Sequence, residues 1–253
     1  MKRLENKAAL ITGGAGSIGK ITAKLFLEEG AKVWLVDLNE DALKKTVEEL
    51  GGKNVGYTAA DVSKSADVQR YVNDAVKAYG KIDVFFNNAG IEGVVKPIAD
   101  YPEEIFDKVI AVNVKGVWLG AKYTLPQMKD GGSMIITSSV AGLNGSPNVS
   151  AYITSKHAAL GVMRATSVES ASRGIRVNAI HPSPVDNRMM RSLEEGFAPG
   201  AAEAAKKELE KSIPLGRYAQ PEEIAQLVVW LGSDESKFIT GTSQVIDGGL
   251  SVL

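Results

Sequence analysis

The chain has no cysteine in its 253 residues, which excludes disulfides, thiolate-held metals and a cysteine nucleophile. Its two histidines, His157 and His181, have no second ligand candidate at metal spacing, so no metal centre is expected. Charge of one sign is also missing: 29 basic side chains stand against 30 acidic ones, a net of −1. That balance gives neither nucleic acid nor an anionic membrane surface an electrostatic reason to bind. No apolar run approaches the length that spans a bilayer. The polar start Met1-Lys-Arg-Leu-Glu-Asn-Lys7 lacks the apolar core of an export signal. A cytoplasmic location is therefore expected. Linkers, repeats and low-complexity stretches are absent too, so residues 1–253 read as a single domain whose 44% hydrophobic content supplies one substantial core.

What is present is a rhythm. Short apolar, β-branched runs at Ala8–Thr12, Val33–Asp37, Val55–Ala59, Val84–Asn87, Met134–Ser138, Arg176–Ile180 and Gln244–Ile246 read as strands. They are nearly continuous rather than alternating, as strands buried on both faces should be. Helix-period segments lie between them, at Ile18–Glu29, Asp41–Leu50, Ala66–Tyr79, Glu103–Met128, Ala151–Arg173 and Pro221–Gly232. Pro102 and Pro221 fit first helical turns, and Gly30, Gly51 and Gly80 fit helix ends. The alternation predicts an α/β fold, a doubly wound parallel sheet of about seven strands. One stretch, about 183–214, breaks the rhythm and is rich in Ala, Glu and Lys. It is expected to be a helical lid after strand six, or else a surface helical pair without a role.

The first strand runs into Thr12-Gly13-Gly14-Ala15-Gly16-Ser17-Ile18-Gly19 and then a helix. In that context glycines let the backbone turn tightly against a pyrophosphate, which the helix N-terminus favours electrostatically. Asp37 closes the second strand, where a carboxylate accepts hydrogen bonds from an adenosine ribose and repels a 2′-phosphate. Leu38 and Asn39 offer no compensating positive charge, so the expected cofactor is NAD(H) rather than NADP(H). Further along, Tyr152 and Lys156, four apart, share one helical face. An ammonium beside a phenol is expected to lower the phenol's pKa toward neutrality, fitting it for proton transfer.

Taken in order, Thr12-Gly13…Gly19, Asn87-Asn88-Ala89-Gly90, Asn113, Ser139, Tyr152-x-x-x-Lys156 and Pro182 resemble the short-chain dehydrogenase/reductase family across essentially the whole chain. The resemblance implies a Rossmann-type sheet and hydride transfer between a nicotinamide and a secondary alcohol or carbonyl. It implies Tyr152 as general acid/base, Ser139 as the hydroxyl on the substrate oxygen and Lys156 as a ribose-binding lysine that depresses the tyrosine. Asn113 resembles the asparagine that holds a relay water. The spacing to Tyr152 selects Ser139 over its neighbour Ser138. The implied cofactor contacts are Gly13, Ser17, Ile18, Gly19, Asp37, Leu38, Asp61 and Val62 at the end of strand three, Asn88, Ala89, Gly90, Tyr152, Lys156, Pro182 and Val185. Asn87 joins the same turn after strand four.

Two places depart from the family pattern. Ser17 stands where glycine is common, with Gly16 before it, which puts the shape of the turn in question. Asn187 stands where a threonine usually meets the nicotinamide amide, next to Asp186. Ala141, Gly142, Leu143, Gly145, Val149, Met189, Met190 and Leu193 imply a largely apolar substrate pocket, suited to a small ketone or secondary alcohol. Arg188 and Arg191 keep a 3-oxoacyl thioester reductase open as an alternative. A remoter one is a dinucleotide sensor without catalysis. Family members usually pair through the helices at Glu103–Met128 and Ala151–Arg173, so a homotetramer is expected. His181, just before Pro182, reads as structural.

Overall fold

The computed structural model describes residues 2–252. Seven strands, β1 (Ala8–Thr12), β2 (Lys32–Asp37), β3 (Val55–Ala59), β4 (Ile82–Asn87), β5 (Met128–Thr137), β6 (Arg176–Pro182) and β7 (Ser243–Ile246), form one sheet in the order β3-β2-β1-β4-β5-β6-β7. Every neighbouring pair is parallel. Side chains alternate between two cores. Leu10 joins Val68, Tyr71, Leu119 and Met163 on one face, while Ile11 joins Phe26, Leu43, Val228 and Leu231 on the other. Both faces are dry, which explains the unbroken apolar runs.

On the Ile11 face lie α1 (Ser17–Glu28), α2 (Glu40–Glu49) and α9 (Pro221–Gly232). On the Leu10 face lie α3 (Ser65–Tyr79), α5 (Val117–Thr124) and α6 (Ser150–Ser170). Helix α4 (Glu103–Ile110) leads into α5 through a wide π-helical turn at Ala111–Gly116. Between β6 and α9, two further helices, α7 (Arg188–Phe197) and α8 (Ala202–Lys211), form the helical insertion. No helix among the described residues is long and apolar enough to cross a membrane.

The structure redraws three boundaries. The single helix expected over Glu103–Met128 is divided by the π-helical turn and ends at Thr124, where Pro126 lies in a short 3₁₀ turn, Leu125–Gln127. Close packing explains the glycines there: a Cβ on Gly120 would lie 2.8 Å from the Asn87 amide nitrogen, and one on Gly116 3.0 Å from Val62. Strand β5 starts at Met128, six residues early, because its pairing with β4 continues through a register shift beside Gly131 and Gly132. Pro102 precedes α4 as its cap rather than sitting in the first turn, whereas Pro221 opens α9 as expected.

Candidate active site

The order of the sheet reverses at β1 and β4, and parallel strands end in a crevice at such a switch point. A cavity of about 870 Å³ opens there. Its lining comes from the carboxyl ends of five strands and the turns beyond them: the glycine turn after β1, Asp37 ending β2, Asn88–Gly90 after β4, Ser138 and Ser139 after β5, and Pro182–Val185 at the end of β6. Tyr152 and Lys156 of α6 join them, and Met189, Met190, Leu193 and Phe197 of α7 close the apolar side.

The glycine turn keeps its shape with glycine at 16. The Gly16 N–H donates to the Gly13 carbonyl at 3.1 Å, and α1 begins at Ser17. Gly13 has φ +67° and lies against Asn88, while a Cβ on Gly19 would overlap the Gly13 carbonyl oxygen. The bare backbone beside the N-terminus of α1 thus fits a pyrophosphate. Asp37 is fixed from behind: one oxygen accepts from the Ala15 N–H at 3.1 Å, the other from the Leu38 N–H at 2.8 Å. Each oxygen retains acceptor capacity for ribose hydroxyls. These residues fit a dinucleotide.

Between the strands, Thr12 and Asn88 act as a staple. The Thr12 hydroxyl accepts from the Asn88 and Ala89 N–H groups at 2.9 and 3.1 Å, and the Asn88 amide donates to the Thr12 carbonyl at 3.1 Å. Asn88 also accepts from Thr137 at 3.1 Å, and the Thr137 carbonyl takes the Lys156 ammonium at 3.0 Å. Asn113 sits in the π-helical turn, fully in the interior. Its amide donates to the Ile91 carbonyl at 2.8 Å and the Ser155 hydroxyl at 3.0 Å, and its oxygen accepts the Ile91 N–H at 2.9 Å. The asparagine therefore ties the loop after β4 to α6, one residue before Lys156.

Ser138 and Ser139 part company. The Ser138 hydroxyl donates to the Lys156 carbonyl at 2.9 Å, locking β5 to α6. The Ser139 hydroxyl makes only a long bond, 3.4 Å to the Pro182 carbonyl, and accepts from the Ala141 N–H. The Lys156 ammonium lies 5.4 Å from the centre of the Tyr152 ring. The expected depression of the phenol is not what this arrangement shows. Burial pushes Tyr152 up to about 12, opposed by the Ser139 hydroxyl and assisted by the Glu92 carboxylate, and burial lowers Lys156 to about 8. Desolvation is the largest influence on the phenol, and the ammonium's hydrogen bond goes to the Thr137 carbonyl.

Of the residues singled out in the sequence, Gly13, Ser17, Ile18, Asp37, Asn88, Ala89, Gly90, Ser139, Tyr152, Lys156, Pro182 and Val185 line the cavity. Gly19 lies behind the turn, Leu38 stands exposed at the rim, and Asn113 acts from the interior. Asp61 and Val62 do not line it: β3 ends at Ala59, the Asp61 carboxylate accepts from Ser63, and Val62 packs against Gly116. Asn187 lines it while capping α7 through the Met190 N–H at 3.1 Å. Sequence reasoning missed Glu92. It is buried and pairs with Arg188 of α7 through two bonds of 3.0 and 3.2 Å, tying the loop after β4 to the insertion. Its one signal was its place, two residues beyond Gly90. Asp186 also binds the insertion, with Arg191 at 3.4 Å and Lys206 at 3.5 Å.

Similarities to known proteins agree with this geometry. Residues 13–251 match a family model described as enoyl-(acyl carrier protein) reductase. Cyclohexanol dehydrogenase of Acinetobacter sp. (strain SE19) is 37% identical over 97% of this chain and 95% of its own length. The crystal structure of levodione reductase superposes with a TM-score of 0.95 at 38% identity, covering 99% of both chains. That of NAD⁺-bound xylitol dehydrogenase does so with a TM-score of 0.92 at 33% identity, covering 98% of this chain and 100% of the other. The chain belongs to the short-chain dehydrogenase/reductase family. It is an oxidoreductase of the alcohol dehydrogenase and carbonyl reductase kind, and its cofactor is a nicotinamide dinucleotide.

Proposed function

We propose that this enzyme uses NAD(H) to interconvert a small, neutral, largely apolar secondary alcohol and its ketone, with Tyr152 as general acid/base. The observation that carries the reading is the charge of the cavity wall. Its only ionisable acids and bases of strong charge are Asp37, Lys156 and Arg188 among the described residues. Lys156 is committed to the Thr137 carbonyl beside Tyr152, and Arg188 is neutralised by Glu92. Among the described lining residues at the insertion, no unpaired cation is left to hold an anionic substrate or the phosphate of a carrier arm. The remaining lining along α7 and α8 is mostly apolar, Met189, Met190, Leu193, Phe197 and Leu209, with Asn187 and Ser212 as its uncharged polar members.

When bound, the nicotinamide supplies or accepts the hydride. The protein's part is geometry and protons. Asp37 places a fixed negative charge where a 2′-phosphate would need a positive one, which supports NAD(H). In the reductive direction the Tyr152 phenol, held protonated by burial, gives its proton to the substrate oxygen as negative charge develops there. The loosely held Ser139 hydroxyl offers a second donor to the same atom. In the oxidative direction the neighbouring Lys156 ammonium offsets part of the burial penalty on the phenolate. The α7–α8 insertion acts as a lid, latched by Glu92–Arg188. Exposed Phe106, Trp118 and Val168 on α4, α5 and α6 support assembly through these helices into the homotetramer, which sedimentation would test.

Titration with NADH and NADPH, followed by nicotinamide fluorescence, tests the cofactor reading. Turnover on a panel of ring ketones and acyl thioesters tests the substrate. Tight NADH binding with ketone reduction supports the proposal, while NADPH preference with thioester reduction would replace it.

A further inference from the structure

Strand β6 meets the Ser138–Ser139 corner at three successive residues. The Ser138 N–H donates to the Ile180 carbonyl at 2.9 Å, the His181 ring nitrogen Nδ1 lies 2.8 Å from the Ser139 carbonyl, and the Ser139 hydroxyl reaches the Pro182 carbonyl at 3.4 Å. The middle contact is the one made by a side chain. His181 is fully buried, and its Nε2 has no hydrogen-bond partner among the described residues. A carbonyl oxygen only accepts, so Nδ1 must carry the proton. Nε2 must then be bare, because an N–H there would be buried without an acceptor. The imidazole is thereby fixed in one tautomer and in the neutral form.

We propose that His181 is a positioning residue for the reaction: its Nδ1–H holds the Ser139 backbone so that the Ser139 hydroxyl is presented to the substrate oxygen. The same carbonyl accepts the Gly142 N–H at 2.8 Å, so ring and turn together fix the one peptide that carries the hydroxyl. Because that hydroxyl is itself only weakly held, its direction depends on the backbone beneath it. The surroundings agree with a neutral ring. Burial lowers the His181 pKa, the bond to Ser139 opposes this, and Lys156, Arg164 and His157 on α6 add to the lowering.

The inference rests on the proposed role of Ser139, so one test must not depend on turnover. In ¹⁵N-histidine NMR at neutral pH, with His157→Gln removing the other ring, His181 is expected as the Nδ1–H tautomer. An Nε2–H or charged ring would overturn the proposal. Kinetics then compare His181→Leu, which removes the donor, with His181→Asn, whose amide nitrogen can reach the Nδ1 position. His181→Leu is expected to lower kcat by about 10-fold or more, a sub-ångström misplacement being enough. KM and NADH binding should stay nearly constant, and His181→Asn should recover most of the loss. Unchanged kcat in His181→Leu, or equal losses in both variants that follow Tm alone, would overturn it. Absence of ketone turnover in the wild type would instead count against the proposed function, leaving the tautomer to decide His181.

Discussion

The two halves of the cavity are built from different materials. On the dinucleotide side the wall is backbone: glycines at 13, 16 and 19, a helix N-terminus, and an aspartate held by two N–H groups. On the substrate side it is side chains on two mostly exposed helices, held by Glu92–Arg188, Asp186–Arg191 and Asp186–Lys206. A backbone wall tolerates almost no substitution, because the space it needs is smaller than a methyl group. A wall of side chains and ion pairs can be rebuilt or loosened residue by residue, as a surface that must open and select among substrates requires.

The sharpest way to break this contrast is Gly19→Ala. Its methyl group would overlap the Gly13 carbonyl, so NADH affinity measured by fluorescence is expected to fall about 10-fold or more, in line with a strained turn of about 1–3 kcal/mol. Retained affinity would show that the turn is softer than its packing. Glu92→Gln probes the other wall by weakening the bond to Arg188. The exposed arginine limits the loss, so KM for a ketone is expected to rise about 3-fold while NADH binding is unchanged, as for a partly solvated charged pair. A fall in NADH affinity instead would mean that the two walls are not separable.

The smallest effect belongs outside both walls. Glu223 is held down to about 2 by Arg217 and by the Gln220 N–H it caps. A depressed carboxylate contributes stability above its unfolded pKa and loses it as pH falls toward the folded one. The contribution should therefore fade between about 4.5 and about 2. The pair is largely exposed, so Glu223→Gln should cost less than about 1 kcal/mol at neutral pH and nothing measurable at the acid limit. Thermal unfolding across that range checks it.

The same contrast decides how much was legible in the sequence. Strands buried on both faces announce themselves as apolar runs, and glycines that need bare backbone cannot be replaced without trace, so the sheet and the dinucleotide turn were readable residue by residue. The broken helix at Asn113 was not, because its π-helical turn is imposed by contact with Ile91 and Ser155 across the fold. Glu92 was hidden for a similar reason: its meaning lies in Arg188, 96 residues away. Spacing reports which groups are near but not how strongly each is desolvated, which is what sets the tyrosine's pKa here. Burial reversed the direction that the Tyr-Lys spacing implied.

The most direct test of Tyr152 as the proton donor compares ketone reduction by the wild type and by Tyr152→Phe at saturating NADH, with NADH binding measured on both. A kcat loss on the order of 10²–10⁴-fold is expected, the usual worth of a positioned general acid, with NADH bound equally well. Turnover within a few-fold of wild type would contradict the assignment, because the proton would then have to come from a group other than Tyr152.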